Sequence, residues 1–145
     1  MKTDDPFDLN RFLDAQEKIY PLALQEIRGG RKQSHWMWFI FPQIEGLGSS
    51  PTARYYALKS KAEAEAYLRH PVLGARLVEC ADAALSITGR SVREIFGSPD
   101  DLKLRSSATL FAAVAPKGSV FERVLERYFN GEPDQRTLDL LRSRL

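Results

Sequence analysis

Lys103, Arg105, Ser106, Ser107 and Thr109 stand within seven residues of one another, two cations followed by three hydroxyls. Ammonium and guanidinium groups beside hydroxyls are the side chains that hold a phosphate or carboxylate. They follow Ser98-Pro99-Asp100-Asp101, a strong helix start with a capping serine, proline in the first turn and two acids toward the positive end of the dipole. Cations so near that end oppose the dipole, and a bound anion would relieve the cost. The plain alternative pairs Lys103 with Asp100 at i+3 and Arg105 with Asp101 at i+4, and leaves the serines to permit close helix packing.

A second place is Gly46-Leu47-Gly48-Ser49-Ser50, followed by Pro51 and Arg54. Exposed amides at a helix start with a guanidinium nearby make an anion cradle, although the lysine of a P-loop and the third glycine of a dinucleotide fingerprint are missing. As a flexible connector the loop needs no ligand.

The third is the run SHWMWFIFPQ from Ser34 to Gln43, which holds Trp36, Trp38 and His35. Imidazole titrates near neutrality, so His35 is the candidate acid or base, against the ordinary role of a hydrogen-bonded core histidine. Buried indoles need partners for their N–H groups, which places a polar cluster or a pocket edge nearby. His70, just before Pro71, reads as a helix-boundary residue. Ser106 or Ser107 as a nucleophile would need a base in reach, and the sequence supplies no triad.

These residues must be positioned by helices. Apolar spacing at Leu9, Phe12 and Leu13 enters a helix near Asp8, Pro21 predicts a break or kink, and Gly29-Gly30 ends the second piece. The aromatic run lacks a partner strand, so a short helix capped by Ser34 and placed in the core is expected. Pro51 starts a short helix carrying Arg54, Tyr55 and Tyr56. Ser60 with Glu63, and Ser91 with Glu94, have capping-box spacing. Further helices are expected from Pro71 to near Gly89, from Ser98 to Ala115, from Gly118 or Ser119 to Asn130-Gly131, and from Asp134 to Leu145. Seven to nine short helices in one all-α domain over residues 1–145 follow, with a stack of helical hairpins allowed and no regular repeat.

Composition removes several functions. With 43% hydrophobic and 28% charged residues the chain can bury its own core. Its 21 basic and 19 acidic side chains are interspersed, which gives little steering toward nucleic acid or membrane. The start MKTDDPFDLN is no signal peptide, and the longest uncharged run, Gln33 to Ile44, is too short to span a bilayer, so a cytoplasmic protein is expected. The single cysteine, Cys80, lies in the helical series Leu73, Leu77, Cys80, Ala84, Ile87 and reads as a buried hydrophobe. There is no zinc spacing, and neither a metal nor a cofactor is expected.

The segments DPFDLNRFLDAQ, RKQSHWMWFIFPQIEGLG, YLRHPVLGARLVEC and IFGSPDDLKLRSSATLF together resemble the bacterial family known as domain of unknown function 1810. The likeness runs from Asp5 to about Tyr128 and implies a compact all-helical domain without assigned catalytic residues. Some members carry a calpastatin-like label, which suits flexible inhibitor repeats rather than a chain with caps and a dense aromatic block.

The leading expectation is a pocket walled by Trp36 or Trp38, polar at His35, Arg54, Lys103, Arg105, Ser106 and Ser107, that binds a small anionic molecule such as a nucleotide or phosphorylated metabolite. Turnover would be hydrolysis or group transfer at phosphate or a glycosidic bond, with His35 as acid or base. The rival is a protein-interaction module with Tyr55, Tyr56 and Tyr128 on a docking face. Nucleic-acid binding ranks third, because the 14 arginines and 7 lysines do not cluster. Oligomeric state is left open.

Overall fold

The computed structural model describes residues 5–143, and among them there are nine helices and no sheet. The expected end of the last helix at Leu145 lies outside the described residues.

α1 (Asn10–Arg28) is one helix through Pro21, not two. Phe12, Gln16, Ala23 and Ile27 are buried along one stripe on both sides of the proline, while Pro21 itself is exposed. Packing of that stripe outweighs the lost hydrogen bond, about 3 kcal/mol for an interior proline. The entry is capped from further back than expected, since the Asp5 carboxylate accepts the amides of Leu9 and Asn10.

α2 (Met37–Ile40) is shorter than the predicted aromatic helix, and Ser34 does not cap it. The Ser34 amide and hydroxyl both donate to Glu26, so the helix begins only after Trp36. α3 (Pro51–Tyr56) starts as expected, with Ser50 accepting the Ala53 amide. α4 (Lys61–Arg69) is capped by Ser60, but only half of the capping box forms. The Glu63 carboxylate is taken by Arg11 and the Lys59 amide instead.

α5 (Leu73–Leu85) begins two residues later and ends sooner than expected. His70 has the boundary role read from the sequence: its Nδ1 accepts the amides of Val72 and Leu73. α6 (Val92–Phe96) has the complete Ser91–Glu94 box. α7 (Asp100–Val114) is not capped by Ser98, because the backbone carbonyls of Gly97 and Pro99 already take the amides of Asp101, Leu102 and Lys103. α8 (Val120–Phe129) is capped by Ser119 and ends at Asn130 in the left-handed region. α9 (Gln135–Ser143) is capped by Asp134, which accepts the Thr137 amide.

α7 packs against α4, α6, α8 and α9, and α5 against α1, α4 and α8. Small residues make the centre possible: Ser106, Ser107, Ala108 and Thr109 are all buried on α7, where larger side chains would hold the neighbours apart. Phe12, Tyr67, Phe111 and Phe121 form one aromatic chain through the core, and Trp36, Phe41 and Phe96 form another. Cys80 is wholly buried, and burial pushes its thiol up to about 12. No described helix is long and apolar enough to cross a membrane.

Candidate functional site

Glu26 organises the aromatic block. Its carboxylate accepts the amides of Gln33 and Ser34, the Ser34 hydroxyl, and the Trp36 indole N–H at 2.9 Å. Burial raises its pKa, and the hydrogen bonds from Ser34, Gln33 and Trp36 outweigh burial and hold it down at about 2. Trp36 is thereby fixed in the core with no exposed surface, so it walls no open pocket. Two positions on, inside α2, Trp38 is partly exposed.

Trp38 forms one wall of a groove of about 430 Å³ that also includes Gln43, the Leu47–Ser50 loop, Ala53, Pro99, Leu102, Lys103 and Ser106. The loop is held tightly. A single parallel bridge joins Ile44 to Leu58, with Leu58 donating to Gln43 and Glu45 donating to Leu58, so that both ends of the Gly46–Ser50 turn and α3 are clasped. Gly48 lies so close to α3 that a Cβ there would stand 2.7 Å from that of Ala53. Arg136 donates to the Gly46 carbonyl from α9. The loop is therefore a built wall rather than a free connector. Its expected cradle of helix amides is absent, because α3 has six residues and Ser50 already takes the Ala53 amide.

Electrostatics at the groove turn on Asp100. Lys32 binds it at 2.8 Å, donates also to the Ser34 carbonyl, and lies over the Trp36 ring. Lys103 reaches the other oxygen only at 3.4 Å, with its ammonium 4.8 Å above the Trp38 ring. One carboxylate is shared by two cations. Lys32 is nearly enclosed, with 7% of its side chain exposed against 25% for Lys103, so the excess positive charge faces the groove at Lys103.

Other expected site residues lie elsewhere. Arg105 does not meet Asp101; it donates to the carbonyls of Glu132 and Pro133, pairs with Glu132 at 3.7 Å, and lies over Phe129. It pins the α8–α9 turn. Arg54 lines a different hollow with Tyr55 and Lys59. His35 is exposed and lines neither this groove nor that hollow. Ser106 does reach the groove, with its hydroxyl on the Leu102 carbonyl and 3.3 Å from Asp134. Thr109 accepts the Asp134 amide and donates to the Arg105 carbonyl, a structural role at the start of α9. Tyr128 is half-buried, with its hydroxyl spent on the Ala84 carbonyl.

Ser107 is buried, does not line the groove, and has no hydrogen-bond partner for its hydroxyl among the described residues. An unmet buried hydroxyl costs stability, so Ser107→Ala is expected to be neutral or to stabilise by up to about 1 kcal/mol, read as the urea midpoint. A loss above about 1 kcal/mol would show that the hydroxyl has a partner.

The model of the family described as "Protein of unknown function (DUF1810)" matches residues 6–141. The chain belongs to this family. The crystal structure of the conserved hypothetical protein Rv1873 from Mycobacterium tuberculosis is similar at 52% identity, over 95% of this chain and 99% of that one, with a TM-score of 0.93. No curated protein matches the chain. DUF1810 membership agrees with the resemblance read from the four sequence segments and with the all-helical fold.

Proposed function

We propose that the groove between Trp38 and Lys103 binds a small anionic molecule with a planar group, of the nucleotide or phosphorylated-metabolite class. The observation that carries this reading is the sharing of Asp100. Lys32 satisfies that carboxylate from the buried side, and the Lys103 ammonium is left over the Trp38 face at the mouth of the groove. An anion placed there would complete the charge balance, and the exposed part of the indole offers a stacking surface. Gln43, Ser49, Ser50 and Ser106 add hydrogen-bonding groups along the walls.

The reading is one of binding. His35, the acid or base anticipated from the sequence, does not line the groove, and Ser106 meets a carbonyl and a carboxylate rather than an imidazole. A thermal-shift screen against nucleotides, sugar phosphates and short oligonucleotides tests it. A ligand at a hundred times its Kd stabilises by about 2.7 kcal/mol, a rise in midpoint of about 5–10 °C for a chain of this length. In Lys103→Ala the rise is expected to vanish with the basal midpoint within about 2 °C of wild type, because the lost ion pair is weak and partly exposed. An unchanged rise in that variant would remove Lys103 from the site.

A further inference from the structure

A second hollow, of about 460 Å³, lies between the N-terminal turn, α3 and the start of α4, with Phe7, Asp8, Arg54, Tyr55, Lys59 and Ser60 at its surface. Its floor is unusual. Arg11 spends all five of its N–H bonds there, on the carbonyls of Phe7, Asp8, Tyr55 and Ala57 and on Glu63 at 2.7 Å. The pair is enclosed, at 6% and 4% side-chain exposure, and its charges cancel. Four carbonyls are thus drawn toward the guanidinium rather than presented to the hollow, and the floor is rigid and neutral.

The rim is not neutral. Arg54 and Lys59 are both exposed and, among the described residues, neither is in an ion pair. Asp8 supplies the opposing carboxylate, and the positive end of the nine-residue α4 opens beside Ser60. The balance favours an anion. The Tyr55 ring, 56% exposed and braced edge-on by Tyr56 at 4.8 Å, offers a flat apolar face at the same rim. Such a ring, already held in place, loses little freedom on stacking against a ligand.

We propose that this hollow is a second, separate binding site, for a small molecule that carries a phosphate or carboxylate on a planar ring. Arg54 and Lys59 take the anionic group, and Tyr55 takes the ring. The site does not depend on the Trp38 groove.

The test is a two-dimensional NMR titration of the ¹⁵N-labelled Lys103→Ala protein, in which the groove is disabled, with adenosine 5′-monophosphate and with adenosine. Saturable shifts at the amides of Tyr55, Lys59 and Ser60 are expected with the monophosphate at concentrations up to about 10 mM, where a millimolar site fills. Adding Arg54→Ala and Lys59→Ala is expected to raise Kd about tenfold or more, and adenosine to bind more weakly by a similar factor. Should the double alanine change lower the midpoint, Arg54→Gln with Lys59→Gln keeps the length and removes the charge. Absence of saturable shifts at those amides, an unaltered Kd in the neutralised protein, or equal binding of adenosine would each overturn the proposal.

Discussion

Arg11→Ala is expected to be the most damaging single substitution of a charged residue, costing about 3–5 kcal/mol, a fall of roughly 10 °C or more in the thermal midpoint. The reason is what remains behind. Glu63, with 4% of its side chain exposed, would keep only the Lys59 amide as a partner; the carbonyls of Phe7, Tyr55 and Ala57 would lose the guanidinium as donor, and that of Asp8 would keep only the residue-11 amide. Removing one member of a buried pair leaves an uncompensated charge, whereas removing both together does not. Glu63→Ala combined with Arg11→Ala is therefore expected to be less destabilised than the sum of the single changes, with a coupling above about 2 kcal/mol in a double-mutant cycle. Additive effects would mean that the pair is solvated in solution and does not set the geometry around residues 7–8 and 55–59.

Glu26→Ala is the second large effect, about 3–4 kcal/mol by denaturant midpoint. Two amides, a hydroxyl and the wholly buried Trp36 indole would lose their acceptor, and each unmet buried donor costs about 1–3 kcal/mol, partly recovered by water at the loop. Glu26 also gives the protein a specific acid limit. Its folded pKa of about 2 lies below the ordinary value of 4.5, so the folded state favours the ionised carboxyl. The resulting stability is fully present above about pH 4.5 and is lost as pH falls through about 2. Glu26→Gln cannot ionise and lacks this contribution. The stability gap between wild type and Glu26→Gln is expected to close as pH drops from about 6 to about 2, and a gap independent of pH would show that Glu26 does not titrate through these contacts.

Helix ends that rely on a local side chain were readable in the sequence. Ser60, Ser91, Ser119 and Asp134 each cap the helix that follows through a bond that spans three residues. Two of the failures have distant partners as their source, whereas Ser98 is displaced by the neighbouring carbonyls of Gly97 and Pro99. Ser34 reads as a cap until Glu26, eight residues back, takes its hydroxyl; the Glu63 capping box is undone by Arg11, 52 residues away. Neither partner carries a local signal. Pro21 marks a break by its own chemistry, and only the stripe of buried residues on both sides explains why α1 continues.

The candidate site was legible in part. Trp38, Lys103, Ser106 and the glycine-serine loop line one groove, although they lie far apart in sequence. The aromatic block is apolar on every side, so no pattern distinguishes the buried Trp36 from the partly exposed Trp38. Arg105 has acids on its own helix at suitable spacing, yet the free carbonyls of the Glu132–Pro133 turn are nearer and capture it. Arg54, expected beside Lys103, lines a hollow other than the one containing Lys103.

The two indole N–H resonances give the most direct test of the groove. Trp36 donates to Glu26 in the core and Trp38 borders the groove, so one spectrum of the ¹⁵N-labelled protein holds both a reporter and an internal control. In a titration with adenosine 5′-monophosphate and with sugar phosphates, the Trp38 indole signal is expected to move saturably with at least one of them. The Trp36 signal should stay in place, and the response should disappear in Lys103→Ala. A stationary Trp38 signal with every anion, or a Trp38 shift that survives loss of Lys103, would contradict anion binding in the groove.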